Sequence, residues 1–185
     1  GFEDLGPGAA AAVDVTGVAV GSLIAPSGDE HAALFPVSGG ARDLGTLGGA
    51  ASAAVAVNEA GLVVGWSERA DGSTHAFAWK DGSMVDLGAP LSGDSQPAYL
   101  TAAGLAAGLG TSAWGTTRAL VWDEDGALTL IDPAGAPSMA LVGLNETGAL
   151  AGTLERAGQQ RAFYWDRVRG TEELGVRRIR WRPTG

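Results

Sequence analysis

A chain of 185 residues without a single cysteine can build one full core, but it holds no disulfide framework and no thiolate zinc site. Acids exceed bases for a net charge of −9, and the imbalance is local: residues 1–160 carry 18 acids against 5 bases, residues 161–185 carry 3 against 7. Such an acidic body should repel nucleic acid, and no apolar run approaches the ~18 residues of a membrane-spanning helix, so neither nucleic-acid binding nor membrane insertion is expected.

The chain opens inside a short motif, Phe2-Glu3-Asp4-Leu5-Gly6, that returns as Asp43-Leu44-Gly45 and Asp86-Leu87-Gly88 and, altered, around Ile131 and Leu174. Between successive copies lies one pattern. A segment of small apolar residues comes first, containing Ala12-Val13, Val55-Ala56-Val57, Ala98-Tyr99-Leu100 or Val142-Gly143-Leu144. A four-residue connection ends on Gly17, Gly61, Gly104 or Gly148, which suits a type I turn completed by a glycine at positive φ. A second apolar segment ends on Gly21, Gly65, Gly108 or Gly152, and a polar connection of varying sequence follows. A third segment ends in Phe35, Trp79, Trp122 or Trp165, and a glycine turn leads to the closing segment.

The landmarks recur every 43 or 44 residues, and glycine is too frequent for a helix of ordinary length, so the chain is expected to be all-β. Four strands per unit with an aromatic ending the third predict a four-bladed β-propeller of four-stranded antiparallel meanders. The expected domain spans residues 2–175, with blades near 7–45, 46–88, 89–132 and 133–175. Residues 2–6 are a spare closing strand, expected either to complete the ring, which favours a compact monomer, or to be the remnant of a preceding blade in a longer chain; a dimer sharing eight blades is the alternative. Residues 176–185 form a basic tail. In it Ile179 and Trp181 alternate with Arg178, Arg180 and Arg182, as an outer edge strand would.

Laid out this way, the second unit resembles the HAF family of bacterial extracellular repeats. The matching residues are Asp43-Leu44-Gly45-Thr46-Leu47-Gly48-Gly49, Asn58, Gly61, Val63-Val64-Gly65, His75-Ala76-Phe77, Trp79 and Asp86-Leu87-Gly88. The other units depart, with His31-Ala32-Ala33, Arg118-Ala119-Leu120 and Arg161-Ala162-Phe163 in place of His-Ala-Phe. The resemblance implies a secreted or cell-envelope propeller and carries no activity with it.

His31, His75, Arg118 and Arg161 occupy one position in the four units. They are candidates for a basic rim that takes a carboxylate or phosphate, or else they are polar side chains that open the third strand and anchor the preceding loop. Two histidines without cysteines make a poor metal site, and Asp123-Glu124-Asp125-Gly126 lacks the spacing of a calcium loop, so no metal and no cofactor is expected. The recurring aromatics are core. Trp66 and Trp114 do not recur, and an unrepeated tryptophan is a candidate stacking platform. Tyr99 stands where the other units have Ala12, Ala56 and Gly143, so it is expected to plug or line the central channel.

The reading that follows is a non-enzymatic binding or scaffold propeller, with a carbohydrate, peptide or protein ligand at rim loops or central channel. An enzyme would instead assemble Asp14, Asp29, His31, His75 and Arg118 in the funnel. A purely structural array is the third alternative.

Overall fold

The computed structural model describes residues 7–90, 93–133 and 136–174. Among these residues sixteen strands form four antiparallel sheets, each a meander in chain order. The first blade holds β1 (Gly8–Val13), β2 (Ala19–Ile24), β3 (Glu30–Phe35) and β4 (Arg42–Gly45). The second holds β5 (Gly48–Val57), β6 (Val63–Arg69), β7 (Thr74–Lys80) and β8 (Ser83–Asp86). In the third are β9 (Asp94–Leu100), β10 (Ala106–Thr111), β11 (Thr117–Trp122) and β12 (Leu128–Ile131). The fourth consists of β13 (Met139–Leu144), β14 (Leu150–Arg156), β15 (Gln159–Asp166) and β16 (Gly170–Glu173). This is the expected four-blade propeller fold. The expected ring-closing strand at Phe2 to Leu5 and the basic tail lie outside the described residues.

The turns form as their residues dictate. Asn58 N–H donates to Leu62 O at 3.0 Å, Gly61 N–H donates to Asn58 O at 2.9 Å, and Gly61 sits at φ +73° where a side chain would be strained. Asn58 Oδ1 also accepts from the N–H groups of Ala60 and Leu62, and its amide nitrogen donates to Thr101 O and Ala102 O in the next blade. One side chain therefore shapes its own turn and ties it to a neighbour.

The glycine ending each second segment has a different cause. Each innermost strand carries a β-bulge, so that pairing skips between Ala10 and Ala12, Ala54 and Ala56, Pro97 and Tyr99, and Leu141 and Gly143. Beside each bulge a carbonyl of the innermost strand stands close against the second strand. A Cβ at Gly21, Gly65, Gly108 or Gly152 would stand 1.9–2.2 Å from the oxygen of Ala9, Ala53, Gln96 or Ala140. The innermost strand of the second blade also starts earlier than its apolar pattern suggests, because Gly48 and Gly49 already belong to β5.

Blades pack face to face in chain order. Val20, Ala32 and Leu44 on the forward face of the first blade meet Val63, Phe77 and Trp79 on the rear face of the second. Val64 and Ala76 meet Ala106, Leu120 and Trp122, and then Ala107, Ala119, Val121 and Ile131 meet Leu150, Phe163 and Trp165. Two buried serines add hydrogen bonds across these junctions. Ser52 Oγ accepts from Ala32 N–H and donates to Gly45 O, and Ser95 Oγ does the same with Ala76 N–H and Gly88 O, so each polar group is satisfied on burial. Between the fourth blade and the first, no strand pair among the described residues packs extensively.

Candidate functional site

The meander creates two rims. The lower rim carries the turns between first and second strands and between third and fourth. The upper rim carries the loops between second and third strands, the starts of the innermost strands and the ends of the outermost ones.

The four basic residues at the start of the third strands all lie on the upper rim, and each pairs with an acid from its own closing strand. His31 Nδ1 is 2.9 Å from the Asp43 carboxylate, and His75 Nδ1 is 2.8 Å from that of Asp86. Arg118 Nε donates to Asp132, and Arg161 Nε stands 4.0 Å from Glu173. Asp43 and Asp86 additionally accept the N–H of Gly45 and Gly88 two residues on. The Asp-Leu-Gly motif thus has a division of labour: the acid fixes strand end and base, the leucine enters the junction core, and the glycine takes φ of +78° or +76°. These bases anchor strands; any ligand carboxylate must compete with the acid already present.

The candidates for a funnel reaction are not brought together. Asp14 sits in a lower-rim turn, where it accepts from Thr16 and Val18, while His31, His75 and Arg118 are spread along the upper rim in separate blades. Asp123 likewise serves a plain turn, accepting from Ala127 N–H at 2.7 Å. No group of three or more potential metal-binding side chains occurs among the described residues.

The single tryptophans separate clearly. Trp66 is half-buried in β6, paired with Ala53 and Ala76, on the face turned towards the third blade. Trp114 is 92% exposed at the tip of the loop between β10 and β11. That loop is ordered by its own bonds: Ser112 N–H donates to Thr116 O, Gly115 N–H donates to Ser112 O, and the Ser112 and Thr116 hydroxyls lie 2.6 Å apart. The same loop tip holds Ser27, Asp71 and Ala157 in the other blades. Three residues before Trp114, Thr111 borders an upper-rim cleft of about 260 Å³ lined also by Asp94, Ser95, Gln96 and Leu109. Asp94 is partly committed, since its Oδ1 accepts from Thr74 N–H at 2.9 Å. Nothing in the repeat pattern marks Asp94 or Gln96, because their role depends on where the second blade ends. Tyr99 lies on β9, the innermost strand of its sheet, and is half-buried there opposite Ala107.

On the lower rim a cleft of about 290 Å³ is lined by Leu105, Asp123, Glu124, Thr147 and Arg167. Turn aspartates dominate the electrostatics. Hydrogen bonds from Thr16 hold the Asp14 carboxyl below its ordinary value, those from Ser73 do so for Asp71, and the Arg169 N–H does so for Asp166. A hydrogen bond with Asp166 in turn raises Tyr164. A folded-state value below that of an unfolded aspartate adds stability at neutral pH, and this is lost as the pH falls through the folded value. Asp71 is exposed and Asp14 and Asp166 are partly so, so the effect is small. In urea unfolding at a series of pH values, their contribution is expected to be full well above the ordinary carboxylate value of 3.8 and to fade below it. Asp71→Asn, a neutral acceptor like the protonated acid, should slightly lower stability near neutral pH and flatten its fall in acid, and an unchanged pH dependence would remove Asp71 from the account.

Repeated meanders packed rear face on forward face define a β-propeller. No protein-family model and no curated protein matches the chain. Among solved structures it is similar to a protein assigned as TolB from Agrobacterium tumefaciens, at 15% identity and a TM-score of 0.60, over 85% of this chain and 60% of that one. It is also similar to TolB from Acinetobacter baumannii, at 14% identity and a TM-score of 0.57, over 89% of this chain and 41% of that one. The chain therefore spans less than two thirds of either protein's length, and identities this low establish the propeller fold alone.

Proposed function

We propose that this propeller is a non-enzymatic binding module of a bacterial cell envelope or exterior, and that it holds a sugar chain on its upper rim at Trp114. The location rests on the HAF resemblance of the second repeat. The observation that carries the binding role is the exposure of Trp114 on a loop tied down by Ser112 and Thr116. An exposed indole on a loop whose backbone is already fixed can stack on a ligand without the cost of ordering that loop. On the same rim, the cleft bordered by Thr111, three residues before Trp114, offers Gln96, Thr111 and the second Asp94 carboxylate oxygen as donors and acceptors for hydroxyl groups. A sugar ring matches both parts, offering an apolar C–H face to the indole and hydroxyls to the cleft.

A glycan array followed by titration of tryptophan fluorescence tests this. The protein is expected to bind a subset of glycans with an indole signal, and Trp114→Ala should weaken that binding at least tenfold while leaving thermal unfolding unchanged. Absence of any glycan hit, or equal binding by Trp114→Ala, would overturn the assignment.

A further inference from the structure

The four blades contain an internal control for what a blade face requires. On the forward faces of the first three blades the equivalent positions Val20, Val64 and Ala107 are 0%, 1% and 0% exposed, and Ala32, Ala76 and Ala119 are all 0% exposed. The fourth blade keeps the same pattern of residues in Ala151 and Ala162, yet both are exposed. The closing side chain follows suit, since Leu44 and Ile131 are 7% and 2% exposed whereas Leu174 is 50% exposed. Asn145 repeats Asn58, but Asn58 is buried against the next blade's turn and Asn145 is exposed. At all three internal junctions such a face is covered by the rear face of a following repeat.

A rear face is also left open. Val57, Leu100 and Leu144 pack onto the preceding blade, while their equivalent Val13 is 66% exposed, and Ala10 and Ala41 beside it are exposed too. Ala33 and Phe35 of the same face are already buried, so the open part runs along β1 and the start of β4.

We propose that the forward face of the fourth blade docks the first blade of a second copy of this chain, through a head-to-tail junction that repeats the internal ones. The mate is specified by chemistry on the page: a small-residue sheet face with an exposed leucine needs another sheet face of this repeat. Each copy displays one of each kind. Two such junctions close a two-copy ring; the contact is heterologous, so head and tail can be blocked separately. This assembly is independent of the ligand at Trp114.

Sedimentation equilibrium across a concentration series tests the proposal. The protein is expected to form dimers. Ala162→Arg, which blocks the tail, and Val13→Arg, which blocks the head, should each weaken association at least tenfold while keeping the native circular dichroism spectrum. Leu174→Asp serves as a second tail variant should Ala162→Arg fold poorly. Mixing the tail-blocked and head-blocked variants should restore dimers joined by one junction. A monomer at every concentration overturns the proposal, and so does a Val13→Arg variant that dimerises normally, since fourth blades would then be pairing with one another.

Discussion

Gly65→Ala is expected to destabilise the protein by at least the upper end of the ~1–3 kcal/mol typical of overpacking. The added Cβ would fall 2.2 Å from Ala53 O and 2.7 Å from two atoms of the Phe77 ring. Neither neighbour can yield cheaply. Ala53 belongs to the innermost strand just before its bulge, and Phe77 is 0% exposed in the junction between the first two blades. Relief would require widening the β5–β6 ladder or displacing the ring from its core. Gly143→Ala provides the contrast, because no atom lies within 4 Å of its Cβ position and the residue sits in a strand. There the loss of unfolded-state entropy favours alanine, by about 0.4–1 kcal/mol. Urea unfolding of the two variants should give effects of opposite sign. Equal effects would mean that the glycine is kept for chain flexibility and not for the carbonyl it faces.

That pair of glycines shows what the sequence discloses and what it withholds. Spacing of 43 or 44 residues was enough to find the strands, their order within each sheet and the turns at Gly17, Gly61, Gly104 and Gly148, because each depends on neighbours along the chain. The reason for Gly21, Gly65, Gly108 and Gly152 was hidden, since a bulge in one strand and a carbonyl aimed at the next appear only when two strands are paired. Ser52 and Ser95 were silent for the same reason, their partners lying in the preceding blade. Base and acid at the upper rim were half legible: His31 and His75 stood out as a repeated position, and the aspartates of Asp-Leu-Gly stood out as a motif, but nothing linked the two. Closure was the least legible feature. A repeat count says how many blades there are, but not which of their faces stay exposed, as Leu174 and Val13 do. Trp114 was visible as an unrepeated aromatic in a polar loop. The bonds that order the loop beneath it, the hydroxyl contact between Ser112 and Thr116 among them, appear only once the two ends of the loop are brought together.

Truncating Trp122 to alanine should cost about 3–5 kcal/mol for the lost side chain alone. Trp122 is 1% exposed between the second and third blades, where it packs with Val64, Ala76 and Leu120. It also makes a bond across that junction, its indole N–H donating to Leu87 O at 3.0 Å. Removing the ring leaves that carbonyl without its donor, which adds roughly 1–3 kcal/mol if water cannot reach it. Trp79 in the preceding junction carries the same packing role with less burial, at 6% exposure, and Arg42 lies over its ring at 4.8 Å. Its truncation should fall within the same packing range without the second contribution. Trp122→Phe separates the parts: it retains most of the apolar contact but no donor, so its cost should approximate the hydrogen bond plus a small cavity. In urea unfolding, Trp122→Ala is therefore expected to exceed Trp79→Ala, with Trp122→Phe well below both. If Trp122→Phe proves neutral, the indole bond contributes nothing net, and the junction is held by shape and apolar burial alone.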